Sequence, residues 1–136
     1  MSIVIDASIA VKWVLDEPRT DAAFALRNEE LIAPTIWRVE AANALWRRVR
    51  LGELTIEQAL SRMSELEKAP VASLPIEPHV SLALELAARA NHPVYDFLYL
   101  AVAVDRQTQV VTDDRRFAAA VTRLGWSNRV RLLGDG

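Results

Sequence analysis

Ser2-Ile3-Val4-Ile5-Asp6 stands at the start of the chain, and this stretch decides the fold. Its β-branched apolar run stops at a carboxylate, which is typical of a buried strand that ends at the edge of a sheet. Similar short apolar runs recur between helical patterns, at residues 31–33, 71–74, 109–112 and 130–133. Strands with almost no polar alternation, joined through helices by short connections, predict a parallel sheet covered on both faces. We therefore expect an α/β fold whose central parallel sheet has about five short strands flanked by helices.

The segments between these strands carry helical patterns. The longest predicted helix is Thr35–Leu51, where Ile36, Val39, Ala42, Leu45, Trp46 and Val49 form an apolar stripe at three/four spacing. Gly52 predicts the end of that helix, and Thr55 with Gln58 forms a capping-box pattern that begins the next one, which ends near Lys68. Further helices are predicted at 8–15, 20–28, 78–90, 95–106 and 115–124.

The composition is that of a globular protein with a core. A length of 136 residues predicts one domain over residues 1–136, and 51% hydrophobic residues with 25% charged ones exclude dominant disorder. The absence of cysteine excludes disulfides and thiolate metal sites, and it fits a reducing cytoplasm. No apolar run approaches the roughly 18 residues of a membrane span, so we expect a cytoplasmic protein with no membrane partner.

Acidic residues follow two predicted strands and lie on two predicted helices. Asp6 follows the first strand, and Asp113 and Asp114 follow the strand at 109–112. Because ligands of parallel α/β sheets bind beyond the carboxyl ends of the strands, these acids are expected to meet at one sheet edge. Glu40 and Asp96 lie in apolar surroundings on helices, where a carboxylate is unusual.

Each acid also has a purely structural interpretation. Asp6 and Asp96 could cap the helices that follow them. Glu40 could lie on a solvated helix face, and Asp113 and Asp114 could be turn residues. One such carboxylate is weak support for a site, but several around one sheet edge are stronger support.

Several carboxylates at one edge predict a divalent cation. Crowded carboxylates repel one another unless a counter-ion is present, and Mg²⁺ or Mn²⁺ prefers such hard oxygen ligands. The ion lowers the pKa of a bound water and stabilises charge on a phosphate. Zinc is not expected, because cysteine is absent and His79 and His92 are interpreted as surface residues at either end of one helix.

Four short motifs occur in order along nearly the full length of the chain. They are Asp-x-Ser at residues 6–8, Glu-x-x-Asn-x-Leu at 40–45, Tyr-Asp-x-x-Tyr-x-Ala at 95–101 and Thr-x-Asp-x-x-Phe at 112–117. Each motif is loose by itself. Together they resemble the PIN domain family, and more closely the VapC-type ribonuclease toxins of prokaryotic toxin–antitoxin pairs.

The resemblance implies a set of catalytic, metal-binding acids: Asp6, Glu40, Asp96 and Asp114. Asp113 occupies the variable middle position of its motif, and it leaves the identity of the fourth ligand slightly ambiguous. No departure from the motifs removes an acid.

The resemblance also implies residues that support these acids. Ser8 and Thr112 would be supporting hydroxyls, with helix capping as the alternative, and Asn43 would be a supporting amide, with helix packing as the alternative. Arg115 and Arg116 are candidate contacts to RNA phosphates, or simply a solvated helix start.

The implied activity is a Mg²⁺- or Mn²⁺-dependent endoribonuclease that hydrolyses RNA phosphodiester bonds and, as a toxin, inhibits translation. The implied partners are RNA, a second copy of the chain in a homodimer, and a small VapB-like antitoxin. Trp13, Trp37 and Trp46 are candidate interface residues, with core packing as the alternative.

Three other functions require different residues or a different activity. A phosphatase of the haloacid-dehalogenase type needs a second Asp where Ser8 stands, and a receiver domain needs a late Lys, whereas no Lys follows Lys68. A catalytically silent PIN domain that binds RNA or protein remains an alternative, because retained acids do not prove turnover. The net charge of −2 does not oppose RNA binding, since without the four acids 14 acidic residues face 16 basic ones.

Overall fold

A computed structural model describes residues 2–135 of the chain. The strands are β1 (Ser2–Ile5), β2 (Glu30–Pro34), β3 (Val71–Leu74), β4 (Val110–Thr112) and β5 (Val130–Leu132). The α-helices of this part of the chain are α1 (Ala7–Ala10), α2 (Thr20–Ala25), α3 (Ile36–Arg50), α4 (Ile56–Glu67), α5 (Val80–Ala90), α6 (Val94–Asp105) and α7 (Arg115–Arg123). Short 3₁₀ turns lie at Val11–Trp13, Leu26–Asn28, Glu77–His79 and Ser127–Arg129.

The five strands form one parallel sheet in the order β3-β2-β1-β4-β5. β1 is central, and its Val4 pairs with Ile32 of β2 on one side and Val110 of β4 on the other. The chain adds β2 and β3 on one side of β1 and then crosses over to add β4 and β5 on the other. Such a switch point, here between β1 and β4, is where open α/β sheets bind their ligands. The predicted parallel sheet is therefore confirmed.

Helices cover both faces of this sheet. Consecutive strand residues point to opposite faces, so burial of neighbouring residues reports on both faces at once. Val4 and Ile5 of β1 are buried, and so are Val110 and Val111 of β4. Within residues 2–135, no helix combines the length and the apolar character that crossing a membrane requires.

Helix α6 forms the centre of the core. Its residues from Phe97 to Ala103 are all buried, so the helix is apolar on every side, as a helix surrounded by protein must be. Phe97 packs edge-on against Phe117 of α7, with 5.6 Å between ring centroids. This packing fixes the first turn of α6, which carries Asp96.

Helix α3 buries only part of its predicted apolar stripe. The buried residues are Trp37, Ala41 and Leu45, whereas Val39 and Trp46 are 68% and 52% exposed. Trp46 instead borders an apolar groove between α3 and α4. Three/four spacing identifies the helix, but it does not decide which of two apolar stripes packs against the sheet.

The connection between α3 and α4 follows the predicted signals. Gly52 has a φ of 77°, the left-handed conformation that glycine adopts without steric cost after a helix end. The backbone N–H of Gln58 donates to Thr55 Oγ1 at 3.1 Å, and the backbone N–H of Thr55 donates to Gln58 Oε1 at 2.9 Å. The predicted capping box is therefore confirmed.

Replacement of the buried ring of Phe97 should destabilise the fold. We expect Phe97→Ala to lower the free energy of unfolding by about 3–5 kcal/mol, because it removes apolar contacts and leaves a cavity. Tyr95→Ala on the same helix is the control, since this side chain is 61% exposed and its loss should cost less than about 0.5 kcal/mol. Urea unfolding followed by circular dichroism measures both values. Equal losses would contradict the assigned core.

Candidate active site

Asp6 is the first residue after β1, and only 6% of its surface is exposed. It occupies the N-cap position of α1, but its carboxylate accepts no capping hydrogen bond from the helix backbone. Ser8 Oγ donates to Asp6 Oδ1 at 2.5 Å, and the Thr112 hydroxyl donates to Asp6 Oδ2. The side chain of Asp6 is therefore held by two hydroxyls and does not act as a helix cap.

The two hydroxyls are held in turn by the loop between β4 and α7. The amide nitrogen of Asp113 donates to Ser8 Oγ at 2.9 Å, and that of Asp114 donates to Thr112 Oγ1 at 3.0 Å. A hydroxyl that accepts from an amide still has its own proton to donate, and here both protons go to Asp6. We call this set of bonds, from the amides of Asp113 and Asp114 through Ser8 and Thr112 to Asp6, the hydroxyl relay. It joins the ends of β1 and β4.

Glu40 of α3 is half-buried, and the Tyr99 hydroxyl of α6 donates to its Oε1 at 2.5 Å. A buried phenol needs a hydrogen-bond partner, and Tyr99 is fully buried. Glu40 is therefore not on a solvated face. Tyr99 belongs to the motif at 95–101, but no role was predicted for it, although its hydroxyl is the one polar side-chain atom in the buried run of α6 from Phe97 to Ala103.

Asp96 lies in the first turn of α6, whose N-cap position is Pro93, so Asp96 is not the cap. His92 Nε2 is 3.4 Å from Asp96 Oδ2. The interpretation of both histidines as surface residues is wrong: His92 is half-buried beside an acid, and His79 is buried, with its Nε2 3.3 Å from Asp105 Oδ2. Burial of these rings depends on tertiary contacts that the helix pattern does not reveal.

The two consecutive aspartates after β4 have different partners. Asp114 Oδ1 accepts two hydrogen bonds from backbone amides in the first turn of α7, at 2.9 and 3.2 Å. Asp113 forms ion pairs with Arg19 at 2.7 Å and with Lys12 at 3.0 Å. Partial burial raises the pKa of Asp113, but the hydrogen bonds and charges of Arg19 and Lys12 lower it more, so that this pKa is below its usual value. Asp113 is thus neutralised by cations, whereas no Lys or Arg pairs with Asp114 within residues 2–135.

Four predicted acids border a single cavity of about 290 Å³. They come from four separate elements, namely the end of β1, helix α3, helix α6 and the loop before α7: Asp6, Glu40, Asp96 and Asp114. Asp113, Glu17 and Arg47 also line this cavity, and the last two were not predicted from the sequence.

Among the carboxyl groups of the cavity, Asp6 has the largest rise in pKa, and burial is its main cause. Burial raises the pKa of Asp6 to about 7, and the hydrogen bonds from Ser8 and Thr112 only partly oppose this. The negative charges of Asp96 and Glu40 raise the pKa of Asp6 further. Near neutral pH, a proton on Asp6 would therefore compete with a divalent cation for this carboxylate.

The neighbouring groups are shifted for the same reasons. Burial raises the pKa of Glu40, and the charge of Asp96 adds to this, while the Tyr99 hydrogen bond and the Arg47 charge oppose it. Burial also raises the pKa of Asp96, with His92 opposing the shift. Burial and the adjacent carboxylates raise the pKa of Tyr99 far above its usual value, so its hydroxyl remains a donor.

The donor set fits a hydrated Mg²⁺ or Mn²⁺ ion. Carboxylate oxygens are the ligands these cations prefer, and a bound cation would favour the charged form of acids whose pKa is raised by burial and, to a smaller extent, by neighbouring negative charges. In the described chain, no three acidic or histidine side chains converge closely enough to form a ready-made ligand cage. Mg²⁺ commonly keeps several waters and binds through one or two carboxylates, so acids spaced around a cavity suit it.

The predicted roles of Asn43, Arg115 and Arg116 are not tested by the geometry of this cavity, because none of these residues lines it. Asn43 is exposed on α3, and its side chain makes no hydrogen bond with the other residues between 2 and 135. Arg115 and Arg116 are exposed in the first turn of α7, next to Asp114. Their supporting and RNA-contacting roles stay predictions.

Comparison with known proteins identifies the family. The family model described as the PIN domain matches residues 3–122. The chain belongs to the PIN domain family. It is 31% identical over 123 residues to Ribonuclease VapC3 of Pyrobaculum aerophilum, an alignment that covers 87% of this chain and 93% of that protein. The four motifs therefore predicted the family and the VapC-type likeness correctly.

The PIN fold is also seen in a solved structure that is similar to this chain. The crystal structure of PAE2754 from Pyrobaculum aerophilum matches with a TM-score of 0.68 and 25% sequence identity. The match covers 88% of this chain and 79% of that one. It thus includes most of the sheet and helices that position the acids.

This PIN domain also contains a buried lysine that sequence reasoning missed. Lys12 is almost fully buried, and its ammonium group contacts Pro18 O at 2.8 Å, Asp113 at 3.0 Å and Glu17 at 3.3 Å. Its three N–H donors are thereby matched by three acceptors. The available signal was one lysine inside the apolar run 9–14. A buried lysine in such a run requires an acidic partner.

The raised pKa of Asp6 makes the stability of the metal-free PIN domain depend on pH. Between its ordinary pKa of 3.8 and about 7, Asp6 is ionised in the unfolded chain but protonated in the folded one. The unfolded state then binds fewer protons, so stability falls as pH rises through this window. Asp6→Asn cannot ionise, and its stability relative to wild type should grow by roughly 3 kcal/mol between about pH 5 and pH 8.

Thermal and urea unfolding in EDTA across this range measure the effect. Asp113→Asn is the matched control, because the pKa of Asp113 is lowered, so that both folded and unfolded states are ionised there. The difference in free energy of unfolding between Asp113→Asn and wild type should not change with pH. A flat difference for Asp6→Asn as well would contradict the electrostatic account of the cavity.

Proposed function

We propose that this PIN domain, extending over residues 1–136, is a divalent-metal-dependent endoribonuclease that hydrolyses RNA phosphodiester bonds. Its proposed catalytic and metal-binding acids are Asp6, Glu40, Asp96 and Asp114. The observation that carries the proposal is the meeting of these four carboxylates around one cavity at the switch point between β1 and β4. The likeness to a protein named Ribonuclease VapC3 supports RNA as the substrate.

A bound Mg²⁺ or Mn²⁺ ion would supply a water of lowered pKa and positive charge for the phosphate. The protein's part is to hold the acids still. The hydroxyl relay orients Asp6, and Tyr99 orients Glu40 through Oε1 and leaves Oε2 without a protein donor in the described chain. Asp114 likewise uses Oδ1 to cap α7, and its Oδ2 accepts no hydrogen bond from residues 2–135.

The adjacent aspartates Asp113 and Asp114 provide a stringent test of these roles. Asp114→Asn should lower kcat by at least about 100-fold, because it removes a carboxylate that faces the substrate phosphate and its metal. Asparagine is as good an N-cap as aspartate, so the start of α7 should survive this change. Asp113→Asn removes a charge already paired with Lys12 and Arg19, and it should lower kcat less than about tenfold.

Cleavage of a fluorophore-labelled single-stranded RNA measures both variants, with Asp6→Asn as a third variant expected to be inactive. EDTA should abolish cleavage, and added Mg²⁺ or Mn²⁺ should restore it. Wild-type activity in Asp6→Asn or in EDTA would refute the proposal. RNA binding without any cleavage would favour the alternative, a catalytically silent PIN domain.

We further propose a cytoplasmic VapBC-type toxin that inhibits translation through RNA cleavage and is held by a small VapB-like antitoxin. The VapC name of the relative supports this role. An exposed apolar surface on α3 and α4, with Trp46, Ile56 and Leu60 more than half exposed, supports a protein partner. Trp13 and Trp37, by contrast, lie in the core.

Light scattering coupled to size exclusion tests these partners. The purified chain should elute as a homodimer, and co-expression with the product of a neighbouring short reading frame should give a larger, RNase-inactive complex. A monomer in both preparations would contradict the proposed partners without affecting the proposed cleavage.

A further inference from the structure

The cavity carries a strongly one-sided set of charges. Among the described residues that line it, six are acidic and one is basic, namely Asp6, Glu17, Glu40, Asp96, Asp113 and Asp114 against Arg47. Among the lining residues alone, the acids outnumber Arg47 and the two charges of one divalent cation, so they repel a polyanionic RNA. Binding of its backbone therefore needs positive charge from the protein at the cavity rim.

Three basic residues close to the cavity form ion pairs with acidic side chains. Lys12 pairs with Glu17 and Asp113, and Arg19 pairs with Asp113. Arg48 pairs with Glu17 at 3.0 Å. These ion pairs neutralise two of the six acids, but they leave the three cations less able to bind a ligand.

Arg47 is placed differently. It is exposed on α3 seven residues after Glu40, which is two helical turns, so the two side chains share one face of the helix about 10 Å apart along its axis. Within residues 2–135, no carboxylate lies within 4.0 Å of its guanidinium, and that group makes no hydrogen bond. Its charge is still near enough to Glu40 to oppose the rise in pKa of that carboxyl group.

An unpaired guanidinium at the rim of an acidic cavity suits phosphate recognition. Its planar fork of N–H donors matches two oxygens of a phosphate, and it is charged at any physiological pH. Glu40 and Asp96 are close enough to Asp6 to raise its pKa, and Asp114 is close enough to Asp96 to raise the pKa of Asp96, whereas Arg47 lies two turns along α3 from Glu40. A phosphate bound by Arg47 would therefore flank the one that is cleaved.

We propose that Arg47 binds a backbone phosphate of the RNA, adjacent to the phosphate that is hydrolysed, and that it positions the strand across the acidic cavity. This inference rests on the proposed ribonuclease function. One face of α3 then carries two residues with different roles. Glu40 acts at the phosphate that is hydrolysed, and Arg47 binds the adjacent phosphate.

Three variants on α3 test the assignment in steady-state RNA cleavage. Arg47→Ala should raise KM about tenfold with kcat changed less than about threefold, because a charge-assisted contact to substrate is lost but the acids are intact. The slope of log(kcat/KM) against log salt should become shallower by about 0.7, the value for one phosphate contact on a single strand. Arg47→Lys should keep the wild-type slope while raising KM less, since it retains the charge but not the fork.

Arg50→Ala is the matched control. Arg50 is also exposed on α3, but its guanidinium lies over the Trp46 ring, 5.7 Å from the centroid, and it does not line the cavity. This variant should leave KM and the salt slope at wild-type values. Thermal unfolding of all variants checks that the fold is retained, and Arg47→Lys supplies the comparison should Arg47→Ala fail to fold.

The outcomes separate this inference from the function on which it rests. If wild type cleaves RNA but Arg47→Ala behaves like Arg50→Ala, or lowers kcat with KM and salt slope unchanged, the assignment of Arg47 is overturned and the ribonuclease proposal stands. If wild type does not cleave RNA in Mg²⁺ or Mn²⁺, the proposed function itself is overturned.

Discussion

The hydroxyl relay to Asp6 is the interaction on which the rest of the site depends. It places a buried carboxylate at the end of the central strand and ties it, through Ser8 and Thr112, to the loop that carries Asp114. The buried helix α6 fixes Asp96, and Tyr99 on the same helix fixes Glu40. Core packing and hydroxyl donors hold the acids in place against their mutual repulsion. Burial, with a smaller contribution from that repulsion, raises the pKa values of Asp6, Glu40 and Asp96.

The acids around the cavity fall into two groups, those paired with Lys or Arg and those without such a partner in the described chain. Lys12, buried in the 3₁₀ turn that follows α1, neutralises Glu17 and Asp113 together with Arg48 and Arg19. The remaining acids have no Lys or Arg partner within the described chain. This sorting supports Asp114 over Asp113 as the fourth acid, a choice that the motif alone leaves ambiguous. In our proposals, a divalent cation and Arg47 supply the positive charge that this cavity needs to bind RNA.

Local sequence patterns predicted the elements that carry the acids, but not the contacts between them. The strands at 2–5 and 71–74 have their predicted bounds, because short β-branched runs between turn residues have few alternatives. The four acids are separated by up to 108 residues in the sequence. Only the resemblance of the four motifs to a known family predicted that these acids form one site. The Tyr99–Glu40 bond, the Lys12–Asp113 pair and the buried face of α3 depend on how helices pack, and periodicity within one helix does not contain that information.

The central claim is that the fold gathers Asp6, Glu40, Asp96 and Asp114 so that they hold a divalent cation together with water. Anomalous diffraction from crystals soaked in Mn²⁺ tests it most directly, with Asp6→Asn crystals as the comparison. The account predicts an anomalous peak inside the cavity bordered by these acids, and a weaker peak or none in Asp6→Asn. An empty cavity in wild-type crystals under Mn²⁺ conditions that support cleavage, or a peak of equal strength in both, would contradict it.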